Sequence, residues 1–322
     1  MGMRFMVVFL LFMTAGCQPQ HPPAHRMAPG HAGRGGASVA VHADSSGADA
    51  WIRVDYDVPA RAYFAFVDSV AEACRNRGMP VDEYLLVHAN PWIIDTLRSQ
   101  DYYNMAARGK IVKQPLSLVV LHAGDSLMVP DSLHRERIRR ILRCSRIDVN
   151  IPAFRLQVIS CGDTLLNAPV RVGRNKRAFL AVVGREKWLR TPIGQGHIVR
   201  VARNPSYVNP RTGREYTGTR RDDGVWTAMP MIPWLEPEID GRRQGSLIHP
   251  TTNRQTLGRA YSNGCVGTRE DDAWTIYYHA PAGTPVRFRY DTLEVHGQDT
   301  LRYPNIYNIR PESQLPDFRL SQ

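Results

Sequence analysis

The apolar positions of this chain change their spacing several times, and each change marks a different element. The run Phe5–Met13 is apolar without a break. It is too short to cross a bilayer as a helix but has the length of the apolar region of a secretory leader. From Gln18 to about Ala50 the chain is Pro, Gly, Ala, His and Ser with almost no large apolar residue, which predicts a flexible tether unable to bury a core. Patterning begins near Trp51. Over 62–77, Phe64, Val67, Val70, Ala71 and Cys74 share one helical face, and Gly78 is the stop signal. Pro80 opens a second helical stretch to about His88, Asn90-Pro91 breaks it, and residues 95–108 predict a third helix closed by Gly109. Leu116–Val129 predicts a strand pair turning at Ala123-Gly124-Asp125. Residues 131–146 predict a helix with Leu133, Ile138, Ile141 and Leu142 at helical spacing and a solvated face of Arg135, Arg137, Arg139, Arg140, Arg143 and Arg146.

Beyond that helix the period falls to two. Ile147–Ile151, Phe154–Cys161, Val170–Val172, Ala178–Val183 and Gly196–Val201 predict strands, and β-rich sequence continues to about Tyr290. One helix interrupts it, from about Arg269 to Tyr278. The long connection 203–245, which carries Tyr207, Trp226 and Trp234, suits a lid over a substrate site. The expectation is an α+β protein: leader 1–16, tether 17–50, a small mainly helical α+β domain over 51–147, a β-rich domain over 148–290 with one helix near its end, and an extension over 291–322.

Composition adds bounds. The chain has 322 residues, 43% hydrophobic and 22% charged, which excludes a wholly disordered or fibrous protein and allows two modest domains. Lys and Arg exceed Asp and Glu by 41 to 30, a net charge of +11. That favours anionic partners such as nucleic acid, anionic lipid or wall polymer. Arg4, the apolar run, Thr14-Ala15-Gly16 and then Cys17 resemble a bacterial lipobox. The resemblance implies acylation of Cys17, enough acyl chain for stable anchoring, and a lipoprotein facing the periplasm. Gln18 after the Cys favours the outer membrane. Nucleic acid then drops out as a partner. His21, His25, His31 and His42 in the tether are irregularly spaced, and no metal or cofactor is expected.

Two short motifs coincide with known signatures without their context. Gly124-Asp125-Ser126-Leu127 with Asp131 and His134 spells the GDSL esterase signature, but its parts lie four residues apart inside a turn. The order β-α-α-β over 51–130 is similar to a LysM glycan-binding module, although the residues between Asn90 and Leu116 do not fit it; a family-specific docking domain is the alternative.

The chemistry concentrates in Ile248–Thr268. A free thiol, with a pKa of about 8.5, needs activation at neutral pH. His249 is an upstream base for Cys265. Cys265 also precedes a predicted helix whose start is marked by the capping-box spacing Thr268-x-x-Asp271, so the helix N-terminus is expected to stabilise the thiolate. Gly264 lets successive N–H groups converge on an oxyanion. His249 followed by Ser262-Asn263-Gly264-Cys265, with Val149–Leu156, Val170–Gly173, Thr191-Pro192-Ile193-Gly194 and Gly283–Val286 in order, resembles the YkuD-type L,D-transpeptidase catalytic domain over about 148–290. The resemblance implies that Cys265 attacks the carbonyl of the third residue of a peptidoglycan stem tetrapeptide and expels the terminal D-Ala, with His249 as base and then acid. Backbone groups at Gly264, Cys265 and Asn263 would hold the oxyanion, with Ser262 orienting the turn. An amine of a second stem would resolve the thioester as a 3→3 cross-link. Arg269, Tyr261, Trp226 and Trp234 are candidate substrate contacts.

Three positions depart from the family pattern. Asn263 replaces its His, Gly267 stands where Arg or Asn is usual, with Arg269 able to reach the same space, and Pro250 follows His249 in place of Gly. Nucleophile and base are retained, so the departures bear on acceptor choice. A carboxypeptidase or amidase using the same Cys, or a catalytically silent wall-binding lipoprotein, are the alternatives. A sortase is disfavoured by the short His249–Cys265 spacing, and a zinc hydrolase by the lack of a His-Glu-x-x-His run. Five cysteines cannot all pair. With Cys17 assigned to the anchor and Cys265 to chemistry, at most two of Cys74, Cys144 and Cys161 can bond, and Cys144 with Cys161 is preferred.

Overall fold

The computed structural model describes residues 41–42 and 50–309. The leader, Cys17, most of the tether and residues 310–322 lie outside them. The N-terminal part contains β1 (Val41–His42), β2 (Ala50–Arg53), β3 (Val58–Pro59), α1 (Tyr63–Asn76), α2 (Glu83–Ala89), α3 (Trp92–Ser99), α4 (Tyr102–Ala107), β4 (Val119–Leu121), β5 (Ser126–Val129) and α5 (Ser132–Arg143). All five predicted apolar positions of α1 are buried. The third predicted helix is two helices, because the buried Asp101 intervenes and caps α4 by accepting from Tyr103 N at 2.8 Å and Asn104 N at 3.1 Å. The predicted strand pair is also corrected. β4 and β5 are both strands, but β4 pairs with β3 and β5 with β2. Four helices lie between β2 and β5, two more than the β-α-α-β order. In α5, Leu133 is 80% exposed while Ile138 is buried. The five-residue separation places Leu133 roughly 140° around the helix from Ile138, off the packed face.

The remainder holds β6 (Ser145–Asn150), β7 (Arg155–Ser160), β8 (Asp163–Pro169), β9 (Val172–Gly173), β10 (Arg177–Leu180), β11 (Arg185–Trp188), β12 (Gly194–Ala202), β13 (Gly218–Arg220), β14 (Trp226–Ala228), β15 (Trp234–Ile239), β16 (Ile248–Pro250), β17 (Ala260–Ser262), β18 (Val266–Thr268), α6 (Glu270–His279), β19 (Pro285–Arg289), β20 (Leu293–His296) and β21 (Asp299–Arg302). Eight strands form one mixed sheet in the order β18-β16-β15-β12-β19-β6-β7-β8. Only β16–β18 and β19–β6 run parallel within it. The α+β class therefore holds. The edge strand β8 was not expected, because most of its residues face solvent and give no apolar alternation.

The described residues fall in one compact unit. Helix α6 is the reason. Glu270 to Tyr278 are all buried, as expected of a helix enclosed on every side. The Tyr278 hydroxyl lies 2.6 Å from that of Tyr63 in α1. Tyr277 and Tyr278 both donate to Glu83 in α2, at 2.8 and 3.0 Å. Arg203, at the start of the 203–245 connection, bonds Glu83 at 2.9 Å and Asp68 at 2.8 and 2.9 Å. A disulfide joins Cys144 at the end of α5 to Cys161 after β7, as preferred from the sequence, while Cys74 is buried and unbonded.

Candidate active site

His249 and Cys265 come together through sheet pairing. β16 and β18 are parallel neighbours with His249 opposite Gly267, two residues past the cysteine. Both side chains line a cavity of about 530 Å³ together with Arg171, Tyr207, Tyr216 and Trp234. The 203–245 connection forms one wall through Tyr207, Val208, Pro210, Tyr216 and Met229.

The imidazole is fixed at one nitrogen. Nδ1 lies 2.8 Å from the Pro250 carbonyl, which can only accept, so Nδ1 carries the proton and Nε2 presents its lone pair. Trp234 packs on the ring at 5.0 Å between centroids, and Tyr207 meets Trp234 edge-on at 5.1 Å. Burial among these groups, with the nearby Arg171 charge, lowers the His249 pKa to about 4. Burial likewise pushes the Cys265 thiol up, against the pull of the Leu247 N–H, which donates to Sγ at 3.5 Å, and of Arg171 and Lys187. At neutral pH the resting pair is therefore a neutral thiol beside a neutral imidazole. No hydrogen bond joins them among the described residues; such contacts commonly tighten only with substrate bound.

Neither expected feature of the α6 N-terminus survives. β18 separates Cys265 from α6, and the N-cap is Arg269, whose side chain makes no cap. The helix start is served from elsewhere. Asp101, already the cap of α4, accepts from Asp271 N at 3.2 Å, and Arg254 donates to it at 2.7 Å. The fully buried Arg221 pairs with Glu270. Cys265 therefore lies outside the first turn of α6.

The turn before Cys265 is braced by hydrogen bonds. Gly264 has φ +114°, which requires glycine. Its N–H donates to Ser262 Oγ at 3.2 Å, and Ser262 Oγ donates to the Cys265 carbonyl at 2.6 Å. The Gly264 N–H is thus used within the turn, while the Cys265 N–H takes no acceptor among the described residues. Thr191 Oγ1 donates to the Gly264 carbonyl at 3.1 Å and accepts from Gly173 N at 2.9 Å. Tyr307, from the C-terminal extension, accepts from Thr191 N at 3.0 Å and donates to the Gly173 carbonyl at 2.8 Å. No local sequence signal marks Tyr307, since its partners are distant in the chain.

Other expectations divide. Asn263 lines the cavity and accepts from Arg174, and Tyr261 and Trp234 also line it. Trp226 is 65% exposed and is not part of the lining; its ring covers Gly218 across the β13–β14 hairpin. Arg269 is also outside the lining, tied to Asp272 at 2.6 and 2.9 Å. The space beside Gly267 belongs instead to Arg171, which the sequence reading missed. A Cβ at Gly267 would come within 2.5 Å of Arg171 Nε and 2.7 Å of its Cγ. Among the described residues, no cluster of three or more His, Cys, Asp or Glu is placed to hold a metal.

Residues 145–288, from β6 through β19, match the family model of the YkuD L,D-transpeptidase catalytic domain. This segment holds both His249 and Cys265. The solved L,D-transpeptidase from Mycobacterium smegmatis is similar at 14% identity, covering 45% of this chain and 58% of its own, with a TM-score of 0.32. L,D-transpeptidase 1 from Mycobacterium tuberculosis gives 17% identity, 45% and 60% coverage and a TM-score of 0.29. The L,D-transpeptidase from Xylanimonas cellulosilytica gives 14% identity, 59% and 79% coverage and a TM-score of 0.33. The match thus spans about 58–60% of the two mycobacterial chains. No curated protein matches the chain.

Proposed function

We propose that the protein is a cysteine acyltransferase acting on peptidoglycan stem peptides, an L,D-transpeptidase. The observation that carries this reading is one imidazole, proton fixed at Nδ1, facing the same cavity as one unbonded thiol. Substrate brings the scissile carbonyl over Sγ, and the thiol proton passes to His249 Nε2 as the S–C bond forms. The tetrahedral oxyanion takes the Cys265 N–H, a donor whose loss in comparable sites costs about 10²–10³ in turnover. Collapse breaks the C–N bond, and His249 returns the proton to the departing D-Ala amine. An amine of a second stem then attacks the thioester, loses its proton to His249 and leaves a 3→3 cross-link with the thiol restored.

A catalytically silent wall-binding protein is the weaker reading. The departures at Asn263 and Gly267 would favour it, yet Asn263 is anchored by Arg174 and the space at Gly267 is filled by a cation, Arg171. Hydrolysis of the same thioester would make a carboxypeptidase. Incubation with purified tetrapeptide muropeptides separates the three: cross-linked dimers plus D-Ala are expected, tripeptide without dimer would make it a carboxypeptidase, and unchanged substrate would make it silent. We also propose that Cys17 carries a lipid anchor holding the enzyme at the periplasmic face of the outer membrane. The mass of the mature N-terminal peptide, with or without acyl chains, tests this.

A further inference from the structure

The lining of the Cys265 cavity contains two guanidinium groups, Arg171 and Arg174, and no aspartate or glutamate. Arg174 bonds Asn263. Arg171 is largely enclosed, yet it is in none of the ion pairs among the described residues. Its one side-chain partner there is the neutral Thr256, whose Oγ1 accepts from Nη1 at 3.3 Å, and its buried Nε has no partner. Asp222, an acid whose charge acts on it, is already held by Tyr103, Asn253 and Gln255. A cation taken out of water without a counter-ion is costly. One that faces a cavity beside a nucleophile is a place for an anion supplied by a ligand.

The position of Arg171 says which anion. Its backbone exchanges two hydrogen bonds with Gly267, both at 2.9 Å, and its side chain lies over that glycine, two residues beyond Cys265. A donor peptide cleaved one residue from its end carries its free α-carboxylate about 3.8 Å, one residue's step, past the scissile bond. We propose that Arg171 receives the free C-terminal carboxylate of the donor peptide, and so restricts acyl-enzyme formation to peptides in which the leaving group is the terminal residue. This rests on the transpeptidase reading for the identity of the donor. The guanidinium fork suits a carboxylate held through two N–H groups. Trp234 and Tyr207 in the same lining give the bound end an apolar side, and the absence of an acidic group from that lining leaves nothing to repel it.

The test uses binding as well as turnover. In the full-length Cys265→Ala protein, calorimetry compares a stem tetrapeptide ending in a free carboxylate with the same peptide ending in a carboxamide. With Arg171 present the acid is expected to bind about 10- to 100-fold more tightly, the range of a charge-assisted hydrogen bond. In Arg171→Met the preference is expected to vanish by loss of acid binding alone, and in Arg171→Lys to return in part. In otherwise unaltered protein, the same preference is expected in the rate of D-Ala release against release of D-alaninamide. Equal affinity for acid and amide with Arg171 present, or an equal fall for both in Arg171→Met, overturns the proposal and assigns Arg171 a structural role. If the acid preference holds while no D-Ala is released, the carboxylate site stands and the transpeptidase reading fails. Turnover without any preference gives the converse.

Discussion

Tyr307→Phe is the sharpest perturbation of the scaffold, because it removes one oxygen atom that holds Thr191 and Gly173 beside the Gly264 turn and leaves the ring in place. Tyr307 is 1% exposed, and burial pushes its hydroxyl up to about 12, so it remains protonated and able to donate. Its loss leaves the Thr191 N–H and the Gly173 carbonyl without this partner. A buried group so orphaned costs about 1–3 kcal/mol, and with partial relaxation the pair is expected to cost about 2–4 kcal/mol. At about 2–4 °C per kcal/mol for a chain of this size, Tm should fall by about 4–16 °C. The same loss frees Thr191, whose hydroxyl holds the Gly264 carbonyl. Small misplacements of reacting groups cost up to about 10²-fold, so acyl-enzyme formation by intact-mass kinetics should slow by about 10- to 100-fold. Tyr290→Phe is the control. Its hydroxyl accepts from Tyr307 N at 2.6 Å at a half-exposed position where water can substitute, so a loss below about 1.5 kcal/mol is expected. Tyr307→Phe protein with unchanged Tm and unchanged acylation would refute the claim that the C-terminal extension braces the site.

Four further outcomes are expected. Because His249 titrates near 4 and must be neutral to act as base, kcat/KM should stay high as pH falls through 6.5 and drop only near pH 4. Because burial raises the Cys265 thiol, its alkylation should be slow at pH 7 and still accelerating at about pH 9; an acid limb near 6.5 with fast alkylation at pH 7 would indicate a preformed thiolate–imidazolium pair instead. Gly267→Ala places a Cβ against Arg171, so it should erode turnover of free-carboxylate donors more than of amides; equal loss on both would show that Arg171 had not been displaced from a carboxylate site. The Cys144–Cys161 bond closes a loop of sequence separation 17, so replacing both with Ser should cost about 3 kcal/mol by loop entropy, read as a denaturation midpoint shift without loss of acylation.

Much of the site was legible because its chemistry is local in sequence. His249 and Ser262–Cys265 form one unit, and a single strand pairing, β16 with β18, brings them together. The face of α1 was legible for a similar reason, since helical periodicity needs no distant partner. What escaped depends on distant partners. The break between α3 and α4 hinges on Asp101, whose carboxylate caps α4 and also the start of α6. β4 and β5 read as a hairpin because proximity in sequence suggested pairing, while their actual partners lie upstream of α1. The Thr268-x-x-Asp271 spacing suggested a cap beside the thiol, but Val266–Thr268 continue the sheet and move the helix start away. Arg171 lies in the strand-like stretch Val170–Gly173, and only its packing over Gly267, distant in sequence, marks the side chain.

The central claim is that Cys265 becomes acylated by a peptidoglycan stem. Intact-mass spectrometry of the protein quenched in acid during reaction with disaccharide-tetrapeptide tests it most directly, run beside Cys265→Ala. The account predicts a species heavier by the tripeptide-bearing acyl group, located at Cys265, with one D-Ala released per acyl-enzyme formed and neither event in Cys265→Ala. Absence of both adduct and D-Ala in the unaltered protein, or equal D-Ala release by Cys265→Ala, would contradict it.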